Sequence, residues 1–256
     1  MKNILYILLI GISTLISCSG SPDSLYPRYT TFPDEKTVAT QETSIDSVFF
    51  RYPYRVTVRD SVAIIMDLHN DSHYFYAFTY PGWKPIAPFG KRGEAPGEML
   101  SAEMFQFSAL DSVWALDANR MLITRWSVSP ADKTVSCKEE IRLDTKLVRS
   151  LDFYRMESAF LITDYLGDFR YHKVSHSGKP IKSIGEIPTE INYEQDIRPA
   201  LAQAWRSFTD YNPKNGIYAM ATQLGETLEI YNLKTQTHNV IYGPGGEPQF
   251  IAKGGE

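Results

Sequence analysis

The chain has 256 residues with 26 basic and 30 acidic side chains, a formal net charge of −4. That balance excludes the electrostatic attraction on which nucleic-acid binding rests, so no nucleic-acid partner is expected. Aromatic residues make up 13%, with 16 tyrosines, a composition that favours strands. A chain of this size can bury a large core as a single all-β domain.

Met1-Lys2-Asn3 opens with one positive charge, and Ile4 to Ile16 is almost wholly apolar. That run is shorter than the roughly twenty residues a spanning helix needs. A charged start, a short apolar stretch and small residues before a cysteine predict an export signal over residues 1–17. Leu15-Ile16-Ser17-Cys18 resembles a bacterial lipobox. The resemblance implies cleavage before Cys18, lipidation of that cysteine and anchoring of the chain to a membrane of the bacterial cell envelope through the lipid. Residues 18–43, beginning with the lipidated cysteine, are rich in Ser, Thr, Pro and charge and read as a flexible tether. In Bacteroides-type lipoproteins an acidic run after the cysteine accompanies surface display. Ser19-Gly20-Ser21-Pro22-Asp23 has a single acid, so the resemblance implies the periplasmic face rather than the cell surface. Cys137 is then the one free thiol, in the alternating stretch Val135-Ser136-Cys137-Lys138, and reads as a half-buried strand residue.

From residue 44 onward a repeat predicts the fold. A turn followed by an apolar strand recurs at Asp60-Ser61-Val62-Ala63-Ile64-Ile65 and Asp111-Ser112-Val113-Trp114-Ala115-Leu116. It returns at Glu157-Ser158-Ala159-Phe160-Leu161-Ile162 and Asn215-Gly216-Ile217-Tyr218-Ala219-Met220. Before each lies a short strand, at residues 54–58, 104–107, 151–154 and 207–211. A third strand follows at 73–78, 121–126, 169–174 and 228–232, and a fourth at 83–89, 135–143, 179–184 and 237–242. Four short strands per unit of roughly 40–50 residues are the signature of a propeller blade. A twisted four-stranded sheet has two faces to cover, and radial stacking covers both with neighbouring blades. The fold class predicted is therefore all-β, a β-propeller over residues 44–256. Tyr193 to Ser207 departs from it: Ile197, Leu201, Ala204 and Trp205 recur near helical period. A short inserted helix is expected there, with Pro199 in its first turn.

Phe89-Gly90-Lys91-Arg92-Gly93-Glu94-Ala95-Pro96-Gly97-Glu98 resembles the Phe-Gly-x-x-Gly-x-x-Pro-Gly-Glu blade junction of the TolB-like, six-bladed propeller lipoproteins of Bacteroidetes. Phe89, Gly90, Gly93, Pro96, Gly97 and Glu98 carry the likeness, and Tyr242-Gly243-Pro244-Gly245-Gly246-Glu247-Pro248 is similar to a second, altered copy. The resemblance implies an envelope-anchored propeller and no agreed activity or catalytic residues. Six blades of about 45 residues need about 270, yet only four quartets are legible. A truncated six-bladed member is expected ahead of an open arc or a smaller ring closed by Ser44 to Phe50.

Several groupings invite a chemical reading. Asp67, His69, Asp71 and His73 have ligand chemistry suited to zinc, but they fall on a predicted hairpin turn where polar residues belong anyway. His172 and His176 have the spacing of a helical pair on a predicted strand. Gly90-Lys91-Arg92-Gly93 could cradle an anion or simply join blades. The aromatic run Tyr74 to Trp83 could stack on a sugar or pack blades together. No catalytic motif is present, and no cofactor is implied. The reading that follows is a non-catalytic binding or interaction module meeting an envelope protein, peptide or glycan. Its alternative is a propeller-type hydrolase or lyase with a metal ion in the central channel, and the innermost positions, read as mostly apolar or aromatic, count against it.

Overall fold

The computed structural model describes residues 26–31, 34–148 and 150–250. The export signal and Cys18 lie outside the described residues. Among those residues no helix is long and apolar enough to cross a membrane.

Sixteen strands form four antiparallel four-stranded sheets, each ordered as in the sequence. Blade 1 holds β1 (Pro53–Arg59), β2 (Val62–Asp67), β3 (His73–Thr79) and β4 (Pro85–Lys91). Blade 2 holds β5 (Ala102–Ala109), β6 (Ser112–Asp117), β7 (Leu122–Ser129) and β8 (Thr134–Arg142). Blade 3 holds β9 (Phe153–Arg155), β10 (Ala159–Thr163), β11 (Tyr171–Ser175) and β12 (Pro180–Ile184). Blade 4 holds β13 (Ser207–Asn212), β14 (Ile217–Thr222), β15 (Thr227–Asn232) and β16 (Thr237–Tyr242). The turns are short and chemically apt. Asp60-Ser61 joins β1 to β2, with Asp60 in the left-handed region that Asp tolerates.

The first strand of every blade lies innermost: β1 packs beside β5, β5 beside β9 and β9 beside β13. The second strands β2 and β10 are buried along their whole length, as expected of sheets covered on both faces. Between blades 1 and 2, Phe75 stacks on Phe89 at 5.0 Å and meets Phe105 of blade 2 at 5.5 Å. Trp114 and Phe160 meet at 5.6 Å between blades 2 and 3, and Tyr171 meets Tyr218 at 5.1 Å between blades 3 and 4. Each such ring removed from water contributes about 1.5–3 kcal/mol.

The helix of the insertion, α1 (Arg198–Ala204), carries Pro199 in its first turn. It buries Leu201, Ala202, Ala204 and Trp205 against Val240 and Tyr242 of β16. Within the segment read as tether, Pro27 to Tyr29 run parallel to the outer edge of β16. Tyr29 N donates to Tyr242 O at 2.8 Å and Tyr242 N to Pro27 O at 3.0 Å. Residues 44–50 add no strand to the sheets. Ile45, Val48 and Phe50 instead cover Ile65, Tyr76 and Phe78 on the face of blade 1 turned away from blade 2. The corresponding far face of blade 4 carries Phe208, Ala221, Leu228 and Ile241 in one cross-strand row, and none of these is buried.

Candidate functional site

The four first strands run side by side around the common axis. The result is a cavity of about 250 Å³ walled by all four blades. Thr57 and Arg59 come from β1, Gln106 and Ser108 from β5, Arg155 from β9, and Thr209 and Asp210 from β13. Met104, Phe105, Phe107 and Tyr154 line the same cavity beside these polar side chains. The inner wall is thus mixed, apolar and aromatic as expected in part, with polar and charged side chains among them.

Side chains tie the inner strands to one another. Gln106 accepts from Arg155 N at 2.7 Å and donates to Phe153 O at 3.3 Å, locking blade 2 to blade 3. Thr209 Oγ1 donates to the Asp152 carboxylate at 3.1 Å, locking blade 4 to blade 3. Arg206 and Glu103 approach to 3.6 Å, and the Arg55 guanidinium lies 5.5 Å from the Phe208 ring. Arg155 sits 5.1 Å over Trp114, and the Nε atoms of Arg55 and Arg155 are buried without a hydrogen-bond partner. Burial pushes the Asp152 carboxyl up to about 6, against the pull of Arg55 and the Thr209 hydroxyl. The wall thus offers arginine and amide donors, the hydroxyls of Thr57, Ser108 and Thr209, and the Asp210 carboxylate. Among the described residues no histidine lines it, and its mixed charges can hold a polar group.

The positions singled out from sequence have other partners. The Asp67 carboxylate accepts from the backbone N–H groups of Arg51 at 2.7 Å, Tyr52 at 2.9 Å and His69 at 3.1 Å. Burial would raise its pKa, but these bonds together hold it below the usual range. Asp71 pairs with Arg51, His69 stands edge-on to Tyr52 at 5.1 Å, and His73 meets Ser72 Oγ at 3.1 Å. The four do not converge, and no group of three metal-binding side chains occurs among the described residues. His172 and His176 lie on an extended strand end, where four residues span about 13 Å. His172 bonds Ser183 while the His176 ring lies tilted against Phe160 at 5.0 Å.

Gly90-Lys91-Arg92-Gly93 is a junction. Lys91 pairs with Glu98 at 2.7 Å, and Arg92 donates to Leu68 O, Asn70 O and the Tyr74 hydroxyl, which leaves neither cation for an anion. Phe89 is buried between Phe75 and Trp126. Gly93 N donates to Met99 O at 3.0 Å and Glu98 accepts from Ala95 N at 3.0 Å, closing the loop in which Pro96 and Gly97 turn the chain. Tyr74 and Phe75 are buried between blades 1 and 2, and Tyr76 and Phe78 beneath Ile45, Val48 and Phe50. Cys137 is half-buried on β8, and burial raises its thiol pKa, keeping it protonated.

Two features escaped the sequence reading. Asp117 repeats the role of Asp67 one blade on, accepting from Leu100 N at 2.7 Å, Ser101 N at 3.2 Å and Arg120 N at 3.0 Å. The signal was an aspartate closing the second strand of the first two blades, Ile65-Met66-Asp67 and Ala115-Leu116-Asp117. The other is an ion pair between Arg170 and Glu229, both buried, at 2.6 Å. The only hint was a charged residue inside an apolar strand, Leu228-Glu229-Ile230.

Comparison with known proteins follows the same lines. A protein of Bacteroides fragilis described as exported is 11% identical, with a TM-score of 0.50 over 84% of this chain and 79% of its own. A DUF4221-family protein of Bacteroides vulgatus is 8% identical, with a TM-score of 0.52 over 78% of this chain and 61% of its own. At these identities the likeness is one of fold. No functionally curated protein matches the sequence. The profile described as TolB-like 6-blade propeller-like matches residues 31–256, while the described residues hold four blades. With repeated four-stranded sheets arranged around one axis and a profile match across nearly the whole propeller, the chain belongs to the TolB-like six-blade propeller family.

Proposed function

We propose that this protein is a non-catalytic binding or interaction module of the bacterial cell envelope. It is held to the membrane by lipid on Cys18, at the periplasmic face, and meets an envelope protein, peptide or glycan. The observation that supports this most is the channel wall, where all four blades contribute polar or charged side chains to one cavity. Fold alone supplies no function; the argument rests on that wall. Its arginines can grip a ligand, while its lining has no histidine for proton transfer. The export-like N-terminus and the fold shared with a protein described as exported support the location.

Site-specific photo-crosslinking from position 57 in living cells tests the module. A discrete crosslinked partner that disappears in an Arg59→Ala/Arg155→Ala variant supports it. Crosslinks unchanged by that variant contradict it. Lipid attachment is tested separately by fatty-acid labelling of the wild type and Cys18→Ala, where label on both or on neither overturns the anchor.

A further inference from the structure

Between blades 3 and 4 lies a second cavity of about 520 Å³, within the size range of small-molecule sites. It is separate from the axial channel. Its lining includes Lys173, Lys182, Lys234 and His238 and, among the described residues, no carboxylate, in a chain whose net charge is negative.

Lys173 and Lys182 are directly opposite across the β11–β12 ladder. Like charges in that position destabilise a sheet. Lys173 is half-buried, and among the described residues neither lysine has an ion-pair or hydrogen-bond partner. Lys234 differs, since its ammonium donates to Lys214 O at 2.8 Å. The Glu229 carboxylate, 3.4 Å from His238 of the lining, is already committed. Arg170 takes it through Nε and Nη2, and the Tyr231 hydroxyl donates to it at 2.9 Å. Beside it the His238 ring stacks on Tyr231 at 4.0 Å with 5° between the planes. Tyr171 and Tyr211 complete an aromatic lining. Two unneutralised ammonium groups facing one cavity, with flat rings beside them, lower the energy of a negative group placed between them.

We propose that this cleft binds a small ligand bearing an oxyanion, a carboxylate, phosphate ester or sulfate ester. Lys173 and Lys182 take the anionic group, and the Tyr171, Tyr211 and Tyr231–His238 rings hold the body of the molecule. The inference rests on the binding-module reading and gives it a ligand class at a place apart from the channel.

Calorimetric titration of the full chain with glucose 6-phosphate, glucose 6-sulfate, glucuronate and uncharged glucose tests it. The expected result is saturable one-to-one binding of at least one anionic sugar, with glucose at least tenfold weaker. The anion that binds best identifies the group recognised. Lys182→Gln, at an exposed position, is expected to weaken binding at least tenfold and to leave the melting temperature of the unliganded protein unchanged or raised. Lys173→Gln/Lys182→Gln abolishes binding. No anionic sugar binding more tightly than glucose, or Lys182→Gln binding as well as the wild type, overturns the proposal. The titration can succeed when the envelope crosslinking fails, so the two failures are distinguishable.

Discussion

Arg170 of blade 3 and Glu229 of blade 4 are 59 residues apart in sequence and form a bidentate, buried ion pair. Arg170 also donates to Ser207 Oγ at 3.1 Å and Trp205 O at 3.4 Å, so one guanidinium gathers β15, β13 and the end of the inserted helix. Burial alone would raise the pKa of Glu229. Arg170, His238 and Tyr231 outweigh it and hold the carboxyl below its usual range. A depressed folded pKa means stability present above the unfolded value of 4.5 and lost as pH falls through the folded one. Urea midpoints are expected to drop on acidification below about pH 4.5, and less steeply in Glu229→Gln than in the wild type.

Asp152 has the opposite sign. Its folded pKa, about 6, lies above the unfolded 3.8. The folded state therefore binds the extra proton, and this group's contribution to stability falls as pH rises from about 4 to 6, by about 2–3 kcal/mol. Asp152→Asn is expected to remove that decline. Urea denaturation of both proteins at pH 4 and pH 7 checks it, and an identical pH dependence in the two would contradict it.

Gly90 and Gly97 separate space from backbone strain. Gly90 has φ +62°, and a Cβ there would stand 2.7 Å from Phe75 Cδ2. Gly97 has φ +77° with nothing within 4 Å. Gly97→Ala should cost about 1 kcal/mol, the left-handed backbone penalty alone. Gly90→Ala should cost about 1–3 kcal/mol more, because Phe75 must shift in a packed interface. Thermal denaturation of the two variants gives the comparison.

Asp117 closes β6 by accepting three backbone N–H groups. Asp117→Ala strands those donors and should cost about 2–3 kcal/mol. Amide exchange should quicken first at Leu100, Ser101 and Arg120.

The strands were legible because each blade writes the same local grammar, a polar turn and then an apolar strand, and a turn residue such as Asp60 or Gly178 suits its φ. The helix was legible because Leu201, Ala204 and Trp205 recur on one face, and all three are buried. What lies between blades was not legible. No local pattern tells that Glu229 meets Arg170, since that depends on how two sheets are offset. The polar part of the inner wall was not legible because Gln106 and Arg155 are single polar residues between apolar ones, and only the ring of first strands shows that they share a cavity. Asp67 looked like a metal ligand because backbone capping and metal binding draw on the same carboxylate.

The most direct test of blade-on-blade packing is a double-mutant cycle in urea with Arg170→Met, Glu229→Gln and the pair. Each single change leaves a buried charge without its partner and should cost about 3–5 kcal/mol. The double variant should cost less than the sum of the two by about 2 kcal/mol or more. A coupling within about 0.5 kcal/mol of zero would mean that blades 3 and 4 do not face each other as described.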